Sequence, residues 1–144
     1  MNTSSSESPT VFAAGVLLMT RQPRRFLLMR HAERWDMPKG HREPGETTLE
    51  CALRETEEET GLSRTQISID PDFLHTVEYD VQTRRYGSAR KRLDLFLGWV
   101  EQEFEPTLTE HIGFEWFDWA PPHAIQERAI DPLLFDVALY LYSC

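Results

Sequence analysis

The chain opens its ordered part with VFAAGVLLMT, Val11 to Thr20, a run apolar and β-branched enough to predict a buried strand. RQPR interrupts it as a turn, and RFLLMR, Arg25 to Arg30, reads as the returning strand. ERWDMPKGHREPGE follows with two prolines and two glycines and reads as loop. A helix is then predicted from about Thr48 to Thr60. Thr47 and Glu50 make a capping box at its start, and Gly61 stands where a left-handed C-terminal cap belongs. Leu49, Ala52, Leu53 and Thr56 fall at i, i+3, i+4 and i+7, a mostly apolar stripe. TQISI and FLHTVEY suggest strands. LDLFLGWV puts Leu93, Leu95, Leu97 and Trp99 on one face of another, and FEWFDW, Phe114 to Trp119, is a short one. PPHAIQER suggests a short helix opening. In DPLLFDVALYLY, Asp131 reads as cap and Pro132 as first turn, with a stripe of Leu134, Val137, Ala138 and Leu141. Strands interspersed with two or three helices predict a mixed sheet covered on both faces.

The chain's 144 residues fit one domain, expected to span 11–144 behind a flexible N-terminal tail at 1–10. No apolar run approaches the ~20 residues of a membrane helix, and the first ten residues lack the basic and apolar regions of a secretory signal. The two cysteines, Cys51 and Cys144, make a poor disulfide framework, so a cytoplasmic setting is expected. The formal net charge of −9 disfavours duplex nucleic acid. A small anionic partner would need metal ions or a local basic patch, and one patch exists: RRYGSARKR, Arg84 to Arg92. It reads either as a solvated hairpin tip or as a cationic wall for phosphates.

Between Glu46 and Glu59 the predicted helix and its lead-in carry six glutamates and one arginine. Like charges a turn apart repel, so such crowding calls for screening or a cation. Glu55, Glu58 and Glu59 stand at i, i+3 and i+4 and are expected to converge on one face, opposite the apolar stripe. Carboxylate oxygens suit hard ions such as Mg²⁺ or Mn²⁺, and two such ions can clamp a pyrophosphate and activate water. Arg54 can hydrogen-bond a neighbouring carboxylate and set its orientation. An ordinary solvated helix face would explain the acids alone, but not the glycine-rich loop, the arginine and Gly61 together.

Gly40, five residues, Glu46, seven residues, Arg54-Glu55, then Glu58-Glu59, one residue, Gly61-Leu62 resembles the Nudix box, G-x5-E-x7-R-E-U-x-E-E-x-G-U. One position departs: Thr56 replaces the usual bulky aliphatic, on the buried stripe rather than among the acids. The resemblance implies an α/β (α+β) fold, the Nudix α/β/α sandwich, with a mixed sheet and the box as loop–helix–loop. It implies a metal-dependent hydrolase of nucleoside diphosphates linked to another group. It makes Glu58 and Glu59 the principal metal ligands and the Lys39 backbone carbonyl a further one. Glu55 would bind metal or accept the proton of the attacking water, Arg54 would orient Glu55, and Glu46 would hold the loop.

Outside the box, WDMPKGHREPGE resembles the asymmetric diadenosine-tetraphosphate hydrolases, with Trp35, Pro38, Lys39, Gly40, His41, Pro44, Gly45 and Glu46 matching and Met37 in place of a proline. LTEHIGFEWF resembles a second segment of that group. That likeness implies cleavage of diadenosine tetraphosphate to ATP and AMP. It makes Glu110 an acid facing the metals and a rival to Glu55 as general base, with His111 a polar neighbour. Phe114 reads as an adenine-stacking ring or a core aromatic. Tyr79 reads as a base-stacking residue and Lys91 as a polyphosphate contact. His31 and His41 are further candidates on the substrate side; His75 and His123 are read as ordinary. The expected partner is a nucleotide substrate, with no membrane and no duplex nucleic acid, and the chain a monomer or weak dimer. Other Nudix substrates (RNA 5′ ends, diphosphoinositol phosphates or (d)NTPs) and a non-catalytic nucleotide-binding module are the alternatives.

Overall fold

The computed structural model describes residues 9–142, and two helices flank one mixed eight-stranded sheet. Residues 1–8 of the expected tail, and Cys144, lie outside the described residues. Strand β1 (Thr10–Arg21) is the hub. It pairs antiparallel with β2 (Arg24–Arg30), antiparallel with β4 (Lys39–His41) and parallel with β7 (Gly87–Trp99). β2 carries β3 (Trp35–Asp36) and β8 (Gly113–Asp118); β7 carries β5 (Ser68–Ile69) and β6 (His75–Thr83) on its far side. Helix α1 spans Thr48–Thr60 and α2 Ile130–Tyr142.

The unbroken apolar run of β1 has a simple cause. Alternate residues face opposite sides of a sheet, and here both sides are covered. Ala13, Leu17 and Met19 join the core that includes Leu93, Leu95, Leu97 and Trp99 of β7 and Leu133, Leu134 and Val137 of α2. Ala14, Val16 and Leu18 join the opposite core with Cys51 and Ala52 of α1. Each fully buried side chain of the Leu17 or Phe26 kind contributes about 1.5–3 kcal/mol.

Several expectations change in detail. The proline-rich loop contains the short strands β3 and β4, because the end of β2 offers an edge to β3 and the first half of β1, beyond its pairing with β2, offers one to β4. TQISI splits into a 3-10 turn, Arg64–Gln66, and β5. PPHAIQER forms no helix; Asp131 accepts hydrogen bonds from the Ile125 and Gln126 amides at 2.9 and 3.1 Å and ties that loop down. Asp131 is therefore inside α2 rather than its cap, and Leu133 joins the buried stripe. The basic stretch is only partly a hairpin tip. Arg84 and Arg85 sit in the turn, while Arg90, Lys91 and Arg92 continue β7. Arg90 pairs with Asp80 at 3.0 Å and Arg92 with Asp94 at 3.1 Å, so cross-strand and same-strand carboxylates absorb two of the charges.

Candidate active site

Helix α1 begins and ends where its caps dictate. The Thr47 hydroxyl accepts from the Glu50 amide, the Glu50 side chain accepts from the Thr47 amide, and Gly61 takes the left-handed conformation at φ 80°. The buried face comprises Cys51, Ala52, Thr56, Glu59 and Thr60. Leu49 is 37% exposed and Leu53 half-buried, so the packed face is rotated from the expected stripe and takes in one of the acids. Small residues sit on it because β1 lies close beneath. Thr56 fits where a larger aliphatic would be expected, and its hydroxyl donates to the Ala52 carbonyl at 2.7 Å, so that buried oxygen is paired.

Two glycines let the loop press against this helix. A Cβ on Gly15 of β1 would lie 2.3 Å from the Pro38 carbonyl oxygen and 2.5 Å from the Lys39 Cβ. A Cβ on Gly40 would lie 2.1–2.5 Å from the carboxyl atoms of Glu55. Glu55 therefore lies flat on the bare backbone of Gly40. The Cys51 thiol donates to the Gly40 carbonyl at 3.3 Å, and burial pushes that thiol up to about 11, which makes it inert.

Arg54 organises the acids around it. Its Nε and Nη2 grip the Glu46 carboxylate at 2.6 and 3.0 Å. Nη1 donates to Glu55 at 2.9 Å and to both oxygens of Glu58 at 3.2 Å, and Nη2 also reaches the His41 carbonyl at 3.0 Å. Glu46 in turn accepts from the Glu43 amide at 3.0 Å, and its Arg54 bonds hold its pKa below the usual carboxylate range. A planar fork with several donors suits this work; an ammonium could not reach three carboxylates at once.

A cleft of about 500 Å³ lies over the helix and loop, lined by Glu55, Glu59, Glu110, Lys39, His41 and Lys91 among others. A larger open groove, about 980 Å³, lies beside Trp99 and the 3-10 turn and touches none of the α1 carboxylates. Within the cleft Glu59 is 5% exposed and accepts from the Lys39 amide at 3.4 Å. Burial first, then the adjacent Glu55 carboxyl and Glu110, raise its pKa to about 8. The pair thus retains a proton in the absence of a counter-charge. A divalent cation is the natural replacement for that proton, and an all-oxygen donor set is the chemistry of Mg²⁺ or Mn²⁺.

The expected convergence of three acids holds for Glu55 and Glu59. Glu58 points outward, 56% exposed, against Arg54. A one-residue step of about 100° separates a buried carboxylate from a solvated one. Lys91 lines the cleft, directly across from Tyr79 in the β6–β7 register, and burial with the nearby Lys39 charge lowers its pKa. His41 is lowered by burial and by Lys91 and Lys39. Phe114 packs partly against the α1-side core, with Met29 as its strand partner, in agreement with the plain packing alternative. His75 pairs with Asp136 at 2.9 Å, and His123 packs against Phe26 and Trp119. Sequence reasoning passed over Asp36. It is buried and faces Lys39 Nζ at 3.1 Å and His31 Nε2 at 3.4 Å, a cluster that exists only because β3 folds back on β2. No spacing in the chain signals it.

The NUDIX domain model matches residues 9–136. A bis(5′-nucleosyl)-tetraphosphatase [asymmetrical] from Rattus norvegicus is 34% identical over 99 residues, 63% of this chain and 62% of the relative. This chain therefore spans somewhat less than two thirds of that relative's length. An RNA pyrophosphohydrolase from Erythrobacter litoralis is 37% identical over 78 residues, 51% of this chain and 48% of the relative. Among solved structures, a C. elegans Ap4A hydrolase binary complex superposes with a TM-score of 0.78 at 26% identity, covering 93% of this chain and 99% of that one. With the box residues, the sheet order and the flanking helices all in agreement, the chain belongs to the Nudix family.

Proposed function

We propose that this protein is a Mg²⁺-dependent pyrophosphohydrolase of dinucleoside polyphosphates that cleaves diadenosine tetraphosphate asymmetrically to ATP and AMP. The carrying observation is the cleft itself. The buried Glu59 and half-buried Glu55 carboxylates line it together with the cationic Lys39 and Lys91, which suits a polyphosphate bridged to the protein by divalent ions. The rat relative and the C. elegans structure carry names of that activity, and the WDMPKGH stretch agrees.

In this reading Glu59 and Glu55, with the Lys39 carbonyl and Glu110, would hold the metal, and Glu58 would join them by turning in from its solvated place beside Arg54. Bound Mg²⁺ would neutralise phosphate charge and lower the pKa of a coordinated water so that a neighbouring carboxylate could take its proton. Glu55, fixed by Arg54 on one side and Gly40 on the other, is held ready to accept that proton; Glu110, which also lines the cleft, is the alternative acceptor. Lys91 and His41 bind distal phosphates, and Tyr79, exposed on the strand next to Lys91, offers its ring to a base. His31 stands further back, beside Asp36. Water attacks a phosphorus in line, and the protein's part is position and charge.

The test is incubation of the purified chain with diadenosine tetraphosphate and Mg²⁺, with Glu58→Gln and Glu59→Gln in parallel and products separated by chromatography. Equal ATP and AMP from the wild type only is expected. Turnover of triphosphorylated RNA instead would move the protein to the reading suggested by the Erythrobacter relative. Full activity of Glu59→Gln would overturn the site.

A further inference from the structure

Beside the acidic cleft lies a second group of titratable side chains with different chemistry. We propose that His31, Asp36 and His111 form a separate cation site that takes a divalent transition ion of borderline softness, Zn²⁺ first among them. The three offer two imidazole nitrogens and a carboxylate oxygen, all within 4.8 Å of one another. They come from three places in the chain: the end of β2, strand β3, and the segment before β8. Asp36 and His111 are 5% and 6% exposed; His31 is about a third exposed and closes the group from outside.

Two observations set this group apart from an ordinary ion-pair knot. The first is His111. Its Nδ1 is buried with no hydrogen-bond partner, the nearest acid oxygen being Glu59 Oε1 at 3.8 Å. An unpaired buried nitrogen costs about 1–3 kcal/mol, no hydrogen bond at Nδ1 holds the ring in place, and a ring turned so that this nitrogen meets an ion would shed that cost. The second is the way the imidazoles lie. The His31 and His111 rings stand 4.5 Å apart, so two imidazoles meet at one buried carboxylate. Mg²⁺ prefers oxygen, whereas imidazole suits Zn²⁺ and its neighbours in the transition series. Donors about 2.0–2.1 Å from a tetrahedral ion stand roughly 3.4 Å apart, so closure needs about an ångström of side-chain rotation. His31, about a third exposed, has room for it.

Asp36 has other partners. One oxygen accepts from the Met37 amide at 2.9 Å; the other faces Lys39 Nζ at 3.1 Å and Arg34 at 3.8 Å. Lys39 is therefore the ion's competitor for this carboxylate. Occupancy would tie the β2–β3 turn to the segment bearing Glu110, next to His111, and so brace one rim of the cleft.

The test is a titration of Zn²⁺ into the full chain in excess Mg²⁺, which keeps the glutamates occupied. It is read by calorimetry, by ¹H–¹⁵N spectra of the imidazoles and by Tm. One ion per chain is expected, with His31 and His111 resonances moving and Tm rising. Asp36→Asn, which keeps an acceptor for the Met37 amide, and His31→Ala should each weaken binding tenfold or more. Lys39→Met should tighten it. Binding unchanged in Asp36→Asn and His31→Ala, no binding at all, or weaker binding in Lys39→Met would each overturn the proposal. The outcome is independent of whether diadenosine tetraphosphate is cleaved.

Discussion

Glu59→Gln should stabilise the metal-free protein at pH 8 while abolishing its activity. Glu59 titrates at about 8 in the folded chain against an ordinary 4.5, because burial and the Glu55 carboxyl oppose its charge. The folded state then carries an extra proton relative to the unfolded state between those two values, so stability falls as pH rises through that window. At about 1.36 kcal/mol per pKa unit the loss is of the order of 3–5 kcal/mol once Glu59 is ionised. Glutamine is the isostere of the protonated acid. It can accept from the Lys39 amide and donate to Glu55, and it never ionises. Histidines with lowered pKa values, His41, His111 and His123, act in the opposite direction near pH 6, but they are common to both proteins and cancel in the difference. The assay is urea unfolding in chelator from pH 4.5 to 8.5, repeated with Mg²⁺. The wild type should lose stability toward alkaline pH and recover it with Mg²⁺; the variant should do neither. A variant less stable than wild type at pH 8 in chelator, or a wild-type profile parallel to the variant's, would refute the reasoning that the cleft stores uncompensated charge.

Gly40→Ala puts a methyl group into the Glu55 carboxylate, so kcat should fall at least tenfold with far-UV circular dichroism unchanged. Arg54→Met leaves Glu46, Glu55 and Glu58 without their shared cation and should cost about 2–4 kcal/mol in urea unfolding, with Arg54→Lys recovering less than half. Lys91→Met should raise KM for a dinucleoside polyphosphate about tenfold with Tm within a degree or two of wild type, because the residue lines the cleft rather than the core.

Local rules wrote much of this molecule into its sequence. The capping box, the left-handed Gly61 and the run of helix formers fixed α1 to the residue, since helix ends depend on groups within four positions. The apolar run of β1 announced a strand covered on both faces. The spacing of Gly40, Glu46, Arg54, Glu55, Glu58 and Glu59 marked the acidic site, and Arg54 does hold Glu46, Glu55 and Glu58 together. What the tertiary structure alone decided is which side of each charge faces water. Glu58 and Glu59 are neighbours in sequence, yet one is solvated and the other is pressed beneath the Lys39 backbone, because only Glu59 falls on the face of α1 that packs against the sheet. Lys91 was one of five basic residues until β7 extended through it and carboxylates claimed Arg90 and Arg92. Asp36, His31 and His111 meet through strand pairings of β2 with β3 and β8, which depend on contacts distant in sequence. Periodicity reports how an element is built, but burial, and with it the pKa of a carboxyl or the partner of an imidazole, is a property of what packs against it.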